Sequence, residues 1–183
     1  MSQKVVFLDR DGVINRGFDN GYVDDWKKFA FLPRSLAALR RLRKAGYKGI
    51  VISNQAGIAR GIYSLKTLRE ITRRMRKAVE EKGGKLDAVY YCPHRLQDRC
   101  SCRKPKAGLF RRAKKRFGIR LKDSFLVGDS RVDVEAGKAI GCRTILVLSG
   151  RNKRRPRWDI KPDAIRKNLW EAVTWILKQK QSS

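Results

Sequence analysis

The stretch KVVFLDRDGVIN, Lys4 to Asn15, decides how this chain reads. Val5, Val6, Phe7 and Leu8 form an unbroken apolar run of β-branched, aromatic and aliphatic residues, the pattern of a strand buried on both faces of a parallel sheet. The run stops at Asp9, and Asp11 and Gly12 follow. Two carboxylates therefore fall at the carboxyl end of a buried strand, where open α/β sheets place their ligands. Asp-x-Asp-Gly on its own is also an ordinary turn sequence. Carboxylates this close repel unless a cation or a shared proton compensates, and a hard divalent ion such as Mg²⁺ takes carboxylate oxygens. With a metal in place, one carboxylate can attack an electrophile such as phosphorus while the other handles the leaving group's proton.

Outward from this stretch, apolar runs alternate with helical periodicity. A helix is expected from Pro33, with Leu36, Leu39 and Leu42 on one face and Gly46 as its C-terminal stop. Residues 49–53 then read as a second strand, and the small and polar residues of SNQAGIARG, Ser53 to Gly61, fall at its carboxyl end. The hydroxyl and backbone N–H of Ser53 suit a phosphoryl oxygen. Leu68, Ile71, Met75 and Val79 make one stripe of a helix over residues 65–82, with Thr67 and Glu70 as a capping box. Further strands are expected at residues 88–91, 125–127 and 144–148, and helices at residues 108–117, 136–140 and 169–177, the last with Trp170, Val173 and Ile176 inward. Asp129 falls at the carboxyl end of the fourth strand. It can complete an octahedral Mg²⁺ shell with Asp9 and Asp11, and Asp133 is then a supporting acid or the first turn of a helix.

Cys92, His94, Cys100 and Cys102 are compressed into eleven residues and include the only histidine of the chain. In a cytosolic protein such a cluster reads as a Zn²⁺ site rather than a disulfide framework, and four ligands leave no open position, so its role is structural. Arg103, Lys104 and Pro105 follow at once. A loop clipped by zinc fixes Lys104, and a fixed ammonium suits the negative charge of a phosphoryl group.

The 183 residues suffice for one domain with a substantial core, and residues 1–183 are expected to form one. No apolar run approaches the ~18 residues of a membrane span, and the opening residues lack the pattern of a signal peptide. A cytoplasmic monomer away from membranes is the expectation. Lys and Arg number 45 against 17 Asp and Glu, giving a formal charge of +28. That charge raises nucleic acid as a partner, but the basic positions interleave with apolar ones as on solvated helix faces, so the expectation is a solvated exterior that binds nucleic acid non-specifically at low salt.

Asp9-Arg10-Asp11-Gly12-Val13, Ser53-Asn54-Gln55, Arg103-Lys104-Pro105 and the segment from Gly128-Asp129 through Asp133 resemble, in order and spacing, the four motifs of the haloacid-dehalogenase-like phosphatases. NQAGIARG, the two halves of the zinc loop and LVGDS are similar to the branch acting on heptose bisphosphate, shared with the histidinol-phosphate phosphatases. The resemblance implies an α/β fold: a Rossmann-like parallel sheet flanked by helices, capless, with a zinc-clipped loop. It implies Asp9 as a nucleophile that forms an aspartyl-phosphate, and Asp11 as the group that protonates the leaving alkoxide and then activates water. Ser53 and Lys104 are implied to hold phosphoryl oxygens, and Asp9, the backbone carbonyl of Asp11 and Asp129 to hold Mg²⁺. Arg103, with Asp19, Asn20, Gly21, Tyr22, Asn54, Gln55, Ala56, Arg60 and Ser130, is implied to meet the rest of a small phosphorylated sugar.

Ser130 stands where the heptose enzymes often carry lysine, and the zinc loop is short between His94 and Cys100. The readings that compete with a heptose bisphosphate 7-phosphatase are a histidinol-phosphate phosphatase, a polynucleotide 3′-phosphatase, and a basic zinc-containing nucleic-acid-binding module without catalysis.

Overall fold

The computed structural model describes residues 3–18 and 21–179. Its centre is β1 (Val5–Leu8), flanked on both sides by parallel neighbours. The sheet has six strands in the order β3-β2-β1-β4-β5-β6, all parallel, with β2 at Lys48–Asn54, β3 at Ala88–Cys92, β4 at Phe125–Gly128, β5 at Arg143–Val147 and β6 at Ala164–Arg166. Parallel strands need crossovers, and helices supply four of the five: α1 (Ser35–Lys44), α2 (Leu65–Glu81), α3 (Gly108–Phe117) and α4 (Arg131–Ala139), while a helix-free loop over residues 148–163 joins β5 to β6 and α5 (Leu169–Lys178) closes the described chain.

Alternation along the strands builds two cores. Val6 and Leu8 pack on one face with Leu39 and Leu42 of α1, Ile71, Met75 and Val79 of α2, and Val173 and Ile176 of α5. Val5 and Phe7 point the other way, towards Leu109 and Phe110 of α3 and Ala136 of α4. The ring of Phe7 meets that of Phe110 edge-on at 5.1 Å. Strands buried on both faces carry no polar alternation, which is why their sequences are continuous apolar runs.

Several local expectations are corrected. α1 starts at Ser35, two residues after Pro33. α2 is capped by Ser64, whose hydroxyl accepts from the Thr67 N–H, while Glu70 pairs with Arg73 and Arg74 instead of reaching back to Thr67. The polar Ser64 side chain at the true N-terminus outcompetes a cap one turn inside the helix. Trp170 is only partly buried: it packs against the edge of the core with Arg34 and Arg41 over its ring at 3.8 and 4.6 Å, and Leu169 and Ala172 join Val173 and Ile176 in the inward places. Strand β6 was absent from the sequence reading: three residues of mixed polarity carry too short a signal.

The register brings the chemistry together. Leu8 lies beside Val51 and Val127, so Asp9, Ser53 and Asp129 emerge at the same carboxyl edge, on neighbouring strands. The Asp9 N–H donates to the carbonyl of Val127 at 2.9 Å and ties the first acid to β4.

Candidate active site

Asp9 and Asp129 leave their strands into a pocket of roughly 150 Å³ at that edge. Asp133 reaches the same place from the first turn of α4, where its carboxylate accepts from the N–H and hydroxyl of Ser130 at 3.1 and 2.5 Å. One oxygen from each of Asp9, Asp129 and Asp133 lies within 4.8 Å of the others. Lys104, 5% exposed, sets its ammonium 2.6 Å from both Asp9 Oδ1 and Asp133 Oδ1. Burial pushes Asp9 up to about 6, with Lys104 opposing and Asp133 and Asp11 adding repulsion. Burial, together with Asp133 and Asp9, pushes Asp129 up to about 7. Burial disfavours the charged ammonium of Lys104, but the two carboxylates beside it outweigh this and hold the lysine protonated. Acids in such a place call for a cation, and oxygen donors in this number suit Mg²⁺.

Two glycines shape the nest around Asp129. A Cβ on Gly150 would stand 1.9 Å from Asp129 Oδ2, and one on Gly12, whose φ is +84°, would stand 2.2 Å from it. Backbone therefore approaches the carboxylate where any side chain would collide. The N–H of Arg151 completes the nest at 2.8 Å from Oδ2.

Asp11 is held apart from the three-acid cluster. Its carboxylate takes hydrogen bonds from the Arg10 guanidinium, from Asn15 Nδ2 at 2.8 Å and from Gln55 Nε2 at 2.7 Å. Arg10 is fully buried and also donates to Gln55 Oε1, which the Tyr63 hydroxyl meets at 2.6 Å. Two donors on Oε1 fix the amide so that Nε2 faces Asp11. The Asp9 carboxylate thus joins the three-acid cluster, and that of Asp11 faces Arg10, Asn15 and Gln55. Asp11 can contribute its backbone carbonyl, while its side chain is committed to Arg10, Asn15 and Gln55.

Cys92, the last residue of β3, meets the loop before α3. Its sulfur lies 3.6 Å from Cys100 Sγ and 3.2 Å from Cys102 Sγ, and His94 Nδ1 is 3.2 Å from Cys102 Sγ. These separations exceed the ~2.05 Å of a disulfide. They approach the edge of about 3.8 Å that follows for ligands around a tetrahedral ion at ~2.3 Å. Two residues further on, the backbone of Lys104 is gripped by the Asn54 amide, which accepts from its N–H at 3.0 Å and donates to its carbonyl at 3.1 Å.

Comparison with known proteins places this geometry. Residues 101–172 match a HAD-hydrolase-like family model. A Pseudomonas aeruginosa protein named D-glycero-beta-D-manno-heptose-1,7-bisphosphate 7-phosphatase is 42% identical over 154 residues, covering 84% of this chain and 86% of its own. The chain belongs to the haloacid-dehalogenase-like phosphatases. A Photorhabdus laumondii relative, 39% identical over 84% of this chain and 87% of its own, carries the corresponding alpha name. The crystal structure of D,D-heptose 1,7-bisphosphate phosphatase from B. bronchiseptica, complexed with magnesium and phosphate, superposes with a TM-score of 0.91 at 33% identity, covering 96% of this chain and 98% of that one.

Within this haloacid-dehalogenase-like phosphatase the candidate substrate and phosphoryl residues singled out from sequence differ in where they fall. Asp9, Asp11, Tyr22, Ser53, Asn54, Ala56, Arg103, Lys104, Asp129 and Ser130 all line the pocket, and Arg103 is steadied by the carbonyl of His94 at 3.1 Å. Gln55 lies behind it, buried against Asp11, while Gly21 and Arg60 are exposed and outside its lining. Asp19 and Asn20 lie outside the described residues. Sequence reasoning gave no role to Arg10, Tyr63 or Arg151. An arginine between two aspartates at a buried strand end was the one signal for Arg10, whereas Tyr63 and Arg151 lie in stretches with no pattern of their own.

Proposed function

We propose that this phosphatase removes the 7-phosphate of D-glycero-D-manno-heptose 1,7-bisphosphate, acting as a single catalytic unit in the cytoplasm. The observation that carries the reading is the Asp9 carboxylate at the end of β1, 2.6 Å from a buried lysine, in a chain with the identities given above. Asp9 attacks phosphorus, the bond from phosphorus to the C7 oxygen breaks, and the Asp11 carboxylic acid gives its proton to the departing alkoxide. The Asp11 carboxylate then takes a proton from water, which attacks the aspartyl-phosphate and frees inorganic phosphate and the Asp9 carboxylate. Ser53 and Lys104 hold phosphoryl oxygens, and Arg103, at the pocket mouth, faces the phosphate that is kept. Arg10 and Gln55 position Asp11 for both proton transfers.

Asp9, Asp129 and the backbone carbonyl of Asp11 would hold Mg²⁺, which supplies positive charge against the phosphoryl oxygens. Zinc on Cys92, His94, Cys100 and Cys102 would clip the loop that presents Arg103 and Lys104. No described helix is long and apolar enough to cross a membrane.

Phosphate release from both anomers of heptose 1,7-bisphosphate, from histidinol phosphate and from a 3′-phosphorylated oligonucleotide tests the proposal. The heptose bisphosphate is expected to give the highest kcat/KM at physiological salt. Turnover of the oligonucleotide or of histidinol phosphate in its place overturns the sugar assignment and leaves the phosphoryl chemistry standing.

A further inference from the structure

A concavity larger than the active-site pocket lies elsewhere on the molecule. It is a groove of roughly 980 Å³ along the outer edge of the sheet, where β3 has no further strand beside it, walled by α2 on one side and reaching Arg112 of α3 on the other. It shares no lining residue with the catalytic pocket. Five of its lining side chains are cationic, Arg69, Arg73, Arg76, Lys77 and Arg112, against one acid, Glu80. All five are exposed. Arg69, Arg76 and Arg112 have no ion-pair partner among the described residues, whereas Arg73 is tied to Glu70. Of the 45 basic residues of the chain, these five share one cleft.

We propose that this groove binds a single-stranded nucleic acid. Positions 69, 73 and 76 share one side of α2, and a rise of 1.5 Å per residue sets them about 6 and about 4.5 Å apart along the axis. That puts successive cations on the scale at which a flexible strand presents successive phosphates. The floor supplies an apolar platform: Tyr90 is partly exposed, with the Arg112 guanidinium 5.7 Å from its ring centroid. An aromatic face beside guanidinium groups accepts a base of any identity by stacking, so binding without sequence preference follows. A duplex, whose bases are already stacked, gains nothing from Tyr90.

Fluorescence anisotropy with a labelled single strand of about 20 nucleotides of mixed sequence, and with the matching duplex, decides the matter at several salt concentrations. Two triple variants are compared with the parent protein: Arg69→Glu/Arg76→Glu/Arg112→Glu in the groove, and Lys153→Glu/Arg154→Glu/Arg155→Glu in the basic loop after β5, with the same change in net charge. The groove triple is expected to lose at least about tenfold in affinity for the single strand and to lower the salt slope by about 2, three contacts at ~0.7 each. The loop triple is expected to shift affinity less than about threefold, and both triples to keep the parent's phosphatase activity. Equal losses in the two triples assign the binding to net charge alone and overturn the proposal. So do absent binding, equal affinity for the duplex, or complete displacement of the strand by poly-glutamate at matched charge, which marks an acidic protein as the partner.

Discussion

Arg10 and Asp11, adjacent in the chain, form a two-sided ion pair: Nε and Nη2 lie 3.1 and 2.9 Å from Oδ1, and Nη2 lies 3.0 Å from Oδ2. The guanidinium is wholly buried, while the Asp11 side chain keeps 30% of its surface open to the pocket. Such a fork fixes the plane of the carboxylate, which a point charge on a flexible stem does not. Arg10→Lys is expected to lower kcat by roughly 10- to 100-fold, with KM moving less than about threefold, because proton transfer depends on that plane more than binding does. Tyr63→Phe, which frees the Gln55 amide, is expected to cost about 1 kcal/mol of stability and a smaller part of kcat. Steady-state kinetics with urea unfolding checks both. A well-folded Arg10→Lys protein with the parent's kcat contradicts the positioning role.

Asp9→Asn separates chemistry from folding. An amide is a poor nucleophile, so turnover is expected to fall by about 10⁴ or more. The substitution also removes one of three clustered acids and leaves Lys104 paired with Asp133 at 2.6 Å. In the presence of EDTA the variant is expected to melt no lower than the parent, since like charge has been taken from a buried site. Single-turnover phosphate release and calorimetry in EDTA give the two readings. More than a trace of activity in the purified variant rules out the covalent route.

What the sequence disclosed and what it hid divide along a physical line. Strands β1, β2, β4 and β5 were legible because burial on both faces leaves unbroken apolar runs, and from their ends the pocket's acids could be placed. A strand end locates a backbone, not the direction of a side chain. Asp9 and Asp11 flank one residue, yet one carboxylate enters the acid cluster and the other turns to Arg10, and nothing in the spacing distinguishes them. The amides of Gln55 and Asn54 were likewise not legible as supports: one holds Asp11 and the other the Lys104 backbone, while Asn54 also lines the pocket. The basic run from Arg69 to Lys77 is plain in the sequence, but its place beside Tyr90 of β3 and Arg112 of α3 in one groove appears only in the fold.

The cluster of Cys92, His94, Cys100 and Cys102, read as a zinc site, predicts a stoichiometry and a consequence. One zinc per chain is expected to survive dialysis, whereas Mg²⁺ washes out, because thiolates and imidazole bind zinc tightly and Mg²⁺ keeps its waters. Cys102→Ser is expected to lower zinc content and, by loosening the adjacent Arg103 and Lys104, to raise KM and reduce kcat together. Elemental analysis beside kinetics checks this. Zinc-free wild-type protein with full activity removes the clip from the account.

The nest around Asp129 supplies a prediction in which the chemistry residues stay untouched. Gly150 and Gly12 both face the Asp129 carboxylate, but their backbones differ: only Gly12 has a positive φ, +84°, that a side chain resists. Gly12→Ala therefore combines a collision with backbone strain and is expected to lower stability as well as activity. Gly150→Ala carries the collision without that strain, since its Cβ would press on Asp129 Oδ2 from 1.9 Å and the carboxylate must swing away. Moving one acid out of a metal shell acts on metal affinity first. The Mg²⁺ concentration for half-maximal activity is expected to rise by roughly 10- to 100-fold in Gly150→Ala, with much of the rate recovered at saturating Mg²⁺. Activity measured against Mg²⁺ concentration, with circular dichroism melting of both variants, resolves the two effects. If Gly150→Ala keeps the parent's Mg²⁺ dependence, Asp129 is not held by the nest in the way its surroundings indicate, and its place among the metal ligands falls with it.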